Sequence, residues 1–130
     1  IKITIGSAYP TEEEFQAEVR GRELMSGLPK TVLISPEEVR HALPEPVGAM
    51  VDSVITCLGQ APPELAQDLI TQGLYLVGGG SMLRGLDRRL ALETEVPVRQ
   101  VAEPLETVVL GAGRVIESYE ALQAMFMDAR

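Results

Sequence analysis

The sequence predicts an α/β fold in which a small subdomain is inserted into a larger layered lobe. The main observation is the apolar run at residues 74–77, which is followed by three glycines and then by a helical pattern. A buried strand, a tight turn and a helix in this order are a building unit of α/β folds. Strand and helix patterns also alternate along the rest of the chain, and two strand-like segments flank turn residues near its beginning. The alternation is typical of layered α/β structures, and the flanked turn is typical of a β-hairpin.

Residues 9–43 are the predicted small subdomain. Apolar and polar residues alternate over residues 15–19, which predicts a half-buried strand, and residues 30–34 are rich in β-branched side chains. We expect these two strands to pair in an antiparallel hairpin with a longer loop. A helix should start directly afterwards, because Ser35 and Glu38 form a capping box and a proline occupies the first helical position.

Residues 1–8 and 44–130 are the predicted large lobe, whose helices carry apolar residues at helical spacing. We expect these stripes to be buried. They comprise Val47, Met50, Val51, Val54, Ile55 and Leu58 in one helix, Leu65, Leu69 and Ile70 in the next, and a series from Leu105 to Phe126 in the last. Gly111 and Gly113 interrupt the last stripe, which indicates close backbone contact or a break into two helices. Residues 96–101 are a further short strand, and we expect the strands to form one sheet.

The composition excludes several classes of function. With 45 % hydrophobic residues among 130, the chain can bury a core as one compact domain or two small lobes. A net charge of −8 opposes nucleic acid and anionic membranes, and three Tyr, two Phe and no Trp offer little for stacking bases. His41 and Cys57 are single residues of their types, which excludes an internal disulfide and argues against zinc. Cys57 is expected to be a small buried hydrophobe, and no apolar run reaches the roughly 20 residues of a transmembrane helix.

The glycine triplet, Gly78 to Gly80, has two interpretations on local sequence alone. A strand, glycine turn and helix can bring backbone N–H groups to a ligand, and glycine lets a flat ring lie against the main chain. A tight turn without a ligand explains the same pattern. The triplet departs from common nucleotide loops, because Leu83 stands where a dinucleotide fingerprint needs glycine and neither Gly-Lys-Ser nor Gly-Lys-Thr occurs.

The stretch LVGGGSMLRGLD at residues 76–87 resembles the adenosine-binding motif of the actin-like superfamily. Further segments are similar, in the same order, to the MreB/Mbl family of bacterial actins: IK and IGSAYP within residues 1–10, PPEL at 62–65, EPL at 103–105 and GAG at 111–113. The similarity covers nearly the whole chain and is specific in combination. It implies the C-terminal half of an actin-like, ribonuclease H-like fold. It also implies that Ile1 to Ile5 end a helix, although their alternation alone predicts a strand.

The resemblance implies a rod-shape-determining protein that binds ATP with Mg²⁺, forms filaments and organises cell-wall synthesis. This half would supply the adenosine side of the nucleotide cleft, through Ile1, Lys2, Gly78, Gly79, Gly80, Ser81 and Met82. The chain begins without Met, and we expect it to be part of a larger protein. The phosphate loops, the Mg²⁺ ligands and the catalytic carboxylates would precede Ile1, so no catalytic or metal-binding residue is assigned here. The whole protein would be a weak, polymerisation-coupled ATPase, and this half alone would not be catalytic.

The resemblance also implies partners and a location. Other copies would bind in a filament, with the hairpin subdomain at the longitudinal contact. The membrane-associated cell-elongation machinery, including RodZ, would bind the whole protein in the cytoplasm, at the inner face of the membrane. Neither nucleic acid binding nor direct membrane insertion by this half is expected. Two alternatives stay open: half of another actin-superfamily enzyme such as a sugar kinase, or a protein-interaction module without a nucleotide.

Overall fold

The computed structural model of the chain describes residues 1–12 and 14–127. Its helices and strands, in chain order, are α1 (Lys2–Ile5), β1 (Ala17–Arg22), β2 (Pro29–Ile34), α2 (Pro36–Ala42), α3 (Pro44–Gly59), α4 (Pro63–Gln72), β3 (Leu74–Leu76), a 3₁₀ turn (Gly79–Met82), α5 (Leu86–Thr94), β4 (Val98–Gln100), α6 (Thr107–Glu117) and α7 (Tyr119–Met127). The fold class is the predicted α/β class. None of the helices in the described part is long and apolar enough to span a membrane.

The small subdomain has the predicted hairpin and helix. Strands β1 and β2 pair antiparallel, with Ala17 opposite Ile34 and Arg22 opposite Pro29. The capping box at the start of α2 is complete. The Glu38 N–H donates to Ser35 Oγ at 3.2 Å, and the Ser35 N–H donates to Glu38 Oε2 at 2.8 Å. Local sequence therefore determines this part of the fold, because both strands and the helix start follow from neighbouring residues.

The large lobe is built on the parallel pair β3 and β4, which α5 connects. One face of α5 packs on α3, and Leu86 and Leu90 meet Val47 and Val51 there in the buried core. The hairpin pairs only with itself within the described chain, so the strands form two separate two-stranded sheets. The expectation of a single sheet was wrong, because β1 and β2 pair only with each other and β3 pairs only with β4 in the described chain.

The first residues form a helix and not a strand. The N–H of Ile5 donates to the Ile1 carbonyl at 2.9 Å, and the N–H of Gly6 donates to the Lys2 carbonyl at 3.0 Å. The strand that alternation suggested was therefore wrong, and the helix that the resemblance implied is confirmed. Five residues are too few to separate a period of 2 from a helical period of 3.6.

Several apolar stripes have the predicted helical spacing but are not buried. In α4 the exposed fraction of Ile70 is 64 %, and in α6 those of Val108 and Ile116 are 71 % and 75 %. Cys57 is exposed as well, against expectation. Periodicity shows which face of a helix is apolar, but burial needs a neighbouring element on that face.

The predicted close backbone contact at the glycines of α6 is absent in the described chain, whereas the predicted break into two helices occurs, four residues after Gly113. An added Cβ at Gly111 or Gly113 would meet no described atom within 4 Å, so no backbone lies close to them. The helix continues through both glycines to Glu117, Ser118 is its C-cap, and α7 begins at Tyr119.

Candidate functional site

The glycine turn lies where β3 ends and the polypeptide turns toward α5. Ligands in open α/β folds bind at the carboxyl ends of parallel strands, so this is the expected place for a site. Gly78 has φ 79° and ψ 173°, a conformation that residues with a Cβ rarely adopt. Its N–H donates to the carbonyl oxygen of Pro104 at 2.6 Å, so the connection between β4 and α6 supports the start of the turn.

Two side chains stiffen the turn from within and from β4. The buried Ser81 hydroxyl donates to the Gly78 carbonyl oxygen at 2.7 Å, which closes the turn on itself. The Ser81 carbonyl oxygen accepts a hydrogen bond from Gln100 Nε2 at 2.6 Å. The hydroxyl of Ser81 thus supports the turn, and its role toward a ligand stays a prediction.

The outer surface of the turn is open at two of its three glycines. An added Cβ at Gly78 or Gly80 would meet no described atom within 4 Å, whereas at Gly79 it would approach Leu105 Cδ2 at 3.4 Å. Gly80 and Ser81 also line one end of an apolar groove of about 490 Å³, whose walls come from α3, β3 and α5. Bare backbone next to an apolar groove can accept a flat, largely apolar ring.

The remaining predicted site residues lie at the edges of this arrangement. Met82 closes the 3₁₀ turn with a side chain that is more than half exposed. Ile1 and Lys2 are exposed at the start of α1 and do not line the groove over Gly80. The connection between α1 and the turn runs instead through Arg84, whose Nη2 donates to the carbonyl oxygen of Thr4. The structure thus gathers Gly78 to Met82 in one turn and carries Ile1 and Lys2 on a separate helix.

A second polar network joins α2 to residues on either side of Pro10. Arg40 of α2 lies 2.5 Å from Glu14 Oε1 and donates to the buried hydroxyl of Ser7 at 3.0 Å. The hydrogen bond from Arg40 holds the pKa of Glu14 below its ordinary value, so this carboxylate is ionised at neutral pH. The Arg40 network therefore fixes α2 to the segment that follows α1.

Sequence reasoning missed three residues that support the turn: Arg84, Gln100 and Pro104. Arg84 stands inside the quoted motif, and a cation in that apolar stretch was a signal that it has a partner. Gln100 and Pro104 gave no such signal, because a single polar residue at a strand end and a proline before a helix are common.

The residues described here do not form a metal site. No group of three or more His, Cys, Asp or Glu side chains in residues 1–12 and 14–127 is arranged to hold an ion. A Mg²⁺ ion needs several oxygen ligands around one point. The glycine turn offers main-chain groups and apolar surface, which suit the adenosine part of a nucleotide better than its phosphates.

Comparison with known proteins identifies relatives over nearly the whole chain. The MreB/Mbl protein family matches residues 1–124. The cell shape-determining protein MreB of Escherichia coli strain K12 is 45 % identical over 117 residues, which are 90 % of this chain and 34 % of that protein. The cell shape-determining protein Mbl of Bacillus subtilis strain 168 is 37 % identical over 122 residues, which are 94 % of this chain and 37 % of that protein.

Solved structures give the same result for the fold. Crystal structures of MreB5 of Spiroplasma citri, one bound to ADP and one to AMPPNP, each superpose with a TM-score of 0.84 and 32 % sequence identity. The match covers 91 % of this chain and 36 % of the ADP-bound chain. The chain thus spans about a third of the length of these relatives, and its actin-like α/β fold is confirmed.

Proposed function

Because this chain belongs to the MreB/Mbl family of cell shape-determining, actin-like proteins, we propose that it forms the adenosine side of a nucleotide cleft. The observation that carries the proposal is the open, stiffened backbone at Gly78 and Gly80. The two Spiroplasma citri structures support the choice of ligand, since ADP and AMPPNP share their adenosine. Family membership also favours this function over the sugar-kinase alternative.

The turn is suited to adenosine because its shape is held before a ligand arrives. Hydrogen bonds from Gly78 to Pro104, from Ser81 to Gly78 and from Gln100 to Ser81 hold both of its ends. A loop that is ordered in advance loses little conformational entropy on binding, which favours affinity. The ring of the ligand would lie against the main chain at Gly79 and Gly80, with Met82 beside it and Lys2 approaching the ribose from α1.

The phosphates and Mg²⁺ of ATP would be held by parts of the protein outside this segment. The described residues provide no cluster of metal-ligating side chains, and phosphoryl transfer depends on groups that neutralise the phosphates and Mg²⁺. We therefore assign nucleoside binding to this segment and ATP hydrolysis to the whole protein.

The hairpin supplies the proposed contact between copies in a filament. Its tip consists of Leu24, Met25 and Leu28, and the first two are 100 % and 96 % exposed. Beside the tip, Lys30 and Glu23 form an ion pair within the hairpin at 2.7 Å. An exposed apolar tip of this kind is typical of a surface that a partner covers. The partner we propose is another copy, in a cytoplasmic filament at the inner face of the membrane, where RodZ would also bind.

Replacing Gly80 with valine in the full-length protein tests the nucleotide proposal. An added Cβ at Gly80 meets no described atom within 4 Å in the ligand-free turn, and the valine would occupy the surface on which the ring lies. We expect ADP affinity to fall at least tenfold, which corresponds to about 1.4 kcal/mol, with an unchanged melting temperature without ligand. Gly21→Val is the matched control, because Gly21 of β1 also has open space beside it and lies in the other subdomain. Unchanged affinity of Gly80→Val would show that the turn has only a structural role.

A further inference from the structure

Arg84 connects the glycine turn to α1 through its main chain. It stands two residues after the 3₁₀ turn and forms an isolated parallel bridge with Ser7. Its carbonyl oxygen accepts the N–H of Ala8 at 2.8 Å. Ser7 is 2 % exposed, so its side of the bridge is buried.

The side chain of Arg84 completes the same junction. In a helix that continued beyond α1, the carbonyl of Thr4 would accept the N–H of Ala8, four residues later. Arg84 binds both of these groups instead, because its carbonyl oxygen accepts the Ala8 N–H and its Nη2 donates to the Thr4 oxygen. A charged donor at the last carbonyls of a helix also interacts favourably with the helix dipole.

The guanidinium of Arg84 reaches the small subdomain as well. Its central carbon lies 5.4 Å from the centre of the Phe15 ring, within the range of about 6 Å for a cation–π interaction. The side chain of Arg84 thus contacts both α1 and the segment that leads into β1. Its backbone lies two residues after the glycine turn.

We propose that Arg84 is a positioning residue of the nucleotide site, which sets α1 and therefore Lys2 relative to the glycine turn. The proposal rests on the proposed function, since Lys2 and the turn are the two walls of that site. Helix α1 depends on outside support, because a four-residue helix is not stable by its own hydrogen bonds and no described side chain caps its start. Arg84 provides that support from the lobe that carries the turn.

A double-mutant cycle in the full-length protein tests this role. Arg84→Met removes the donor and the charge, and we expect ADP to bind about tenfold more weakly. If Arg84 acts through Lys2, Arg84→Met should weaken ADP binding by less than about threefold when Lys2 has already been replaced with methionine. Arg84→Lys keeps a charged donor and should recover part of the affinity. Arg88→Met, at an exposed arginine four residues later, should bind ADP like the unaltered protein.

Amide hydrogen exchange without nucleotide provides the second measurement. The amides of Ile5 and Gly6 should exchange faster in Arg84→Met than in Arg88→Met, because α1 loses its support. Additive losses of affinity in the cycle, or unchanged exchange at these amides, would overturn the positioning role. If the unaltered protein binds no ADP, the proposed function fails, and the exchange comparison still decides whether Arg84 fixes α1.

Discussion

Replacing Gly73, Gly78 or Gly80 with alanine should destabilise the ligand-free protein to three different degrees. Gly73 and Gly78 share an unusual backbone conformation, with φ 79° and ψ −167° at the first and φ 79° and ψ 173° at the second. Gly80 is not among the glycines with positive φ. Of these three glycines, only Gly73 has backbone close beside it, because an added Cβ there would clash with the Pro97 carbonyl oxygen.

These differences give the expected magnitudes. The shared conformation is nearly restricted to glycine and costs other residues about 1 to 3 kcal/mol, which is the whole cost for Gly78→Ala. In Gly73→Ala the Pro97 carbonyl must also move, although it accepts the Leu74 N–H at 2.7 Å. Loss of that bond adds about 1 kcal/mol, so the total is about 2 to 4 kcal/mol. Gly80→Ala should stay within about 0.5 kcal/mol of the unaltered protein.

Urea denaturation of the three variants, each in the full-length protein and without nucleotide, measures this order. The transition midpoint should be lowest for Gly73→Ala, intermediate for Gly78→Ala and unchanged for Gly80→Ala. Equal midpoints for Gly78→Ala and Gly80→Ala would refute the conformational argument. Equal midpoints for Gly73→Ala and Gly78→Ala would refute the argument from the Pro97 contact.

Two further predictions concern the small subdomain. Replacing Leu24, Met25 and Leu28 of the hairpin tip with serine should abolish sedimentable polymer of the full-length protein. The melting temperature should not fall, because the tip is exposed. Leu92→Ser, at an exposed leucine of α5, is the control, and normal sedimentation of the tip variant would contradict the proposed contact between copies. Hydrogen bonds from the Ser35 N–H and hydroxyl lower the pKa of Glu38 below its ordinary 4.5. The unaltered protein should therefore be more stable than Glu38→Gln at neutral pH, and this difference in stability should disappear as acid protonates the carboxylate. Thermal melts across pH measure that difference, and a constant difference would exclude the linkage.

The parts of the fold that the sequence predicted correctly depend on neighbouring residues. The capping box needs only Ser35 and Glu38, which stand three residues apart, and the hairpin needs two strands and the turn between them. The strand before the glycine turn is equally local. Such signals act before tertiary contacts form, so they can be recognised without knowing what packs on them.

The wrong expectations depend on contacts between distant parts of the chain. The stripes of α4 and α6 have the correct spacing, but Ile70 and Val108 stay exposed because no described element covers them. In α3 the same kind of pattern is buried at Val47 and Val51, because α5 lies across it. Apolar spacing alone cannot distinguish these cases, since it describes one surface and burial requires two.

The candidate site depends both on local sequence and on contacts between distant residues. Its glycine turn was therefore predictable, whereas the residues that hold the turn in place were not. The glycine turn is local, but it is held by Gln100, 19 residues beyond Ser81, and is connected to α1 through Arg84, 80 residues beyond Thr4. A glycine triplet without these partners is a flexible turn, because glycine has more backbone freedom to lose than any other residue. The ability of this turn to present a fixed surface therefore comes from β4, the β4–α6 connection and α1. Substitutions at Gln100 or Arg84 should for this reason weaken nucleotide binding although neither residue is one of the three glycines.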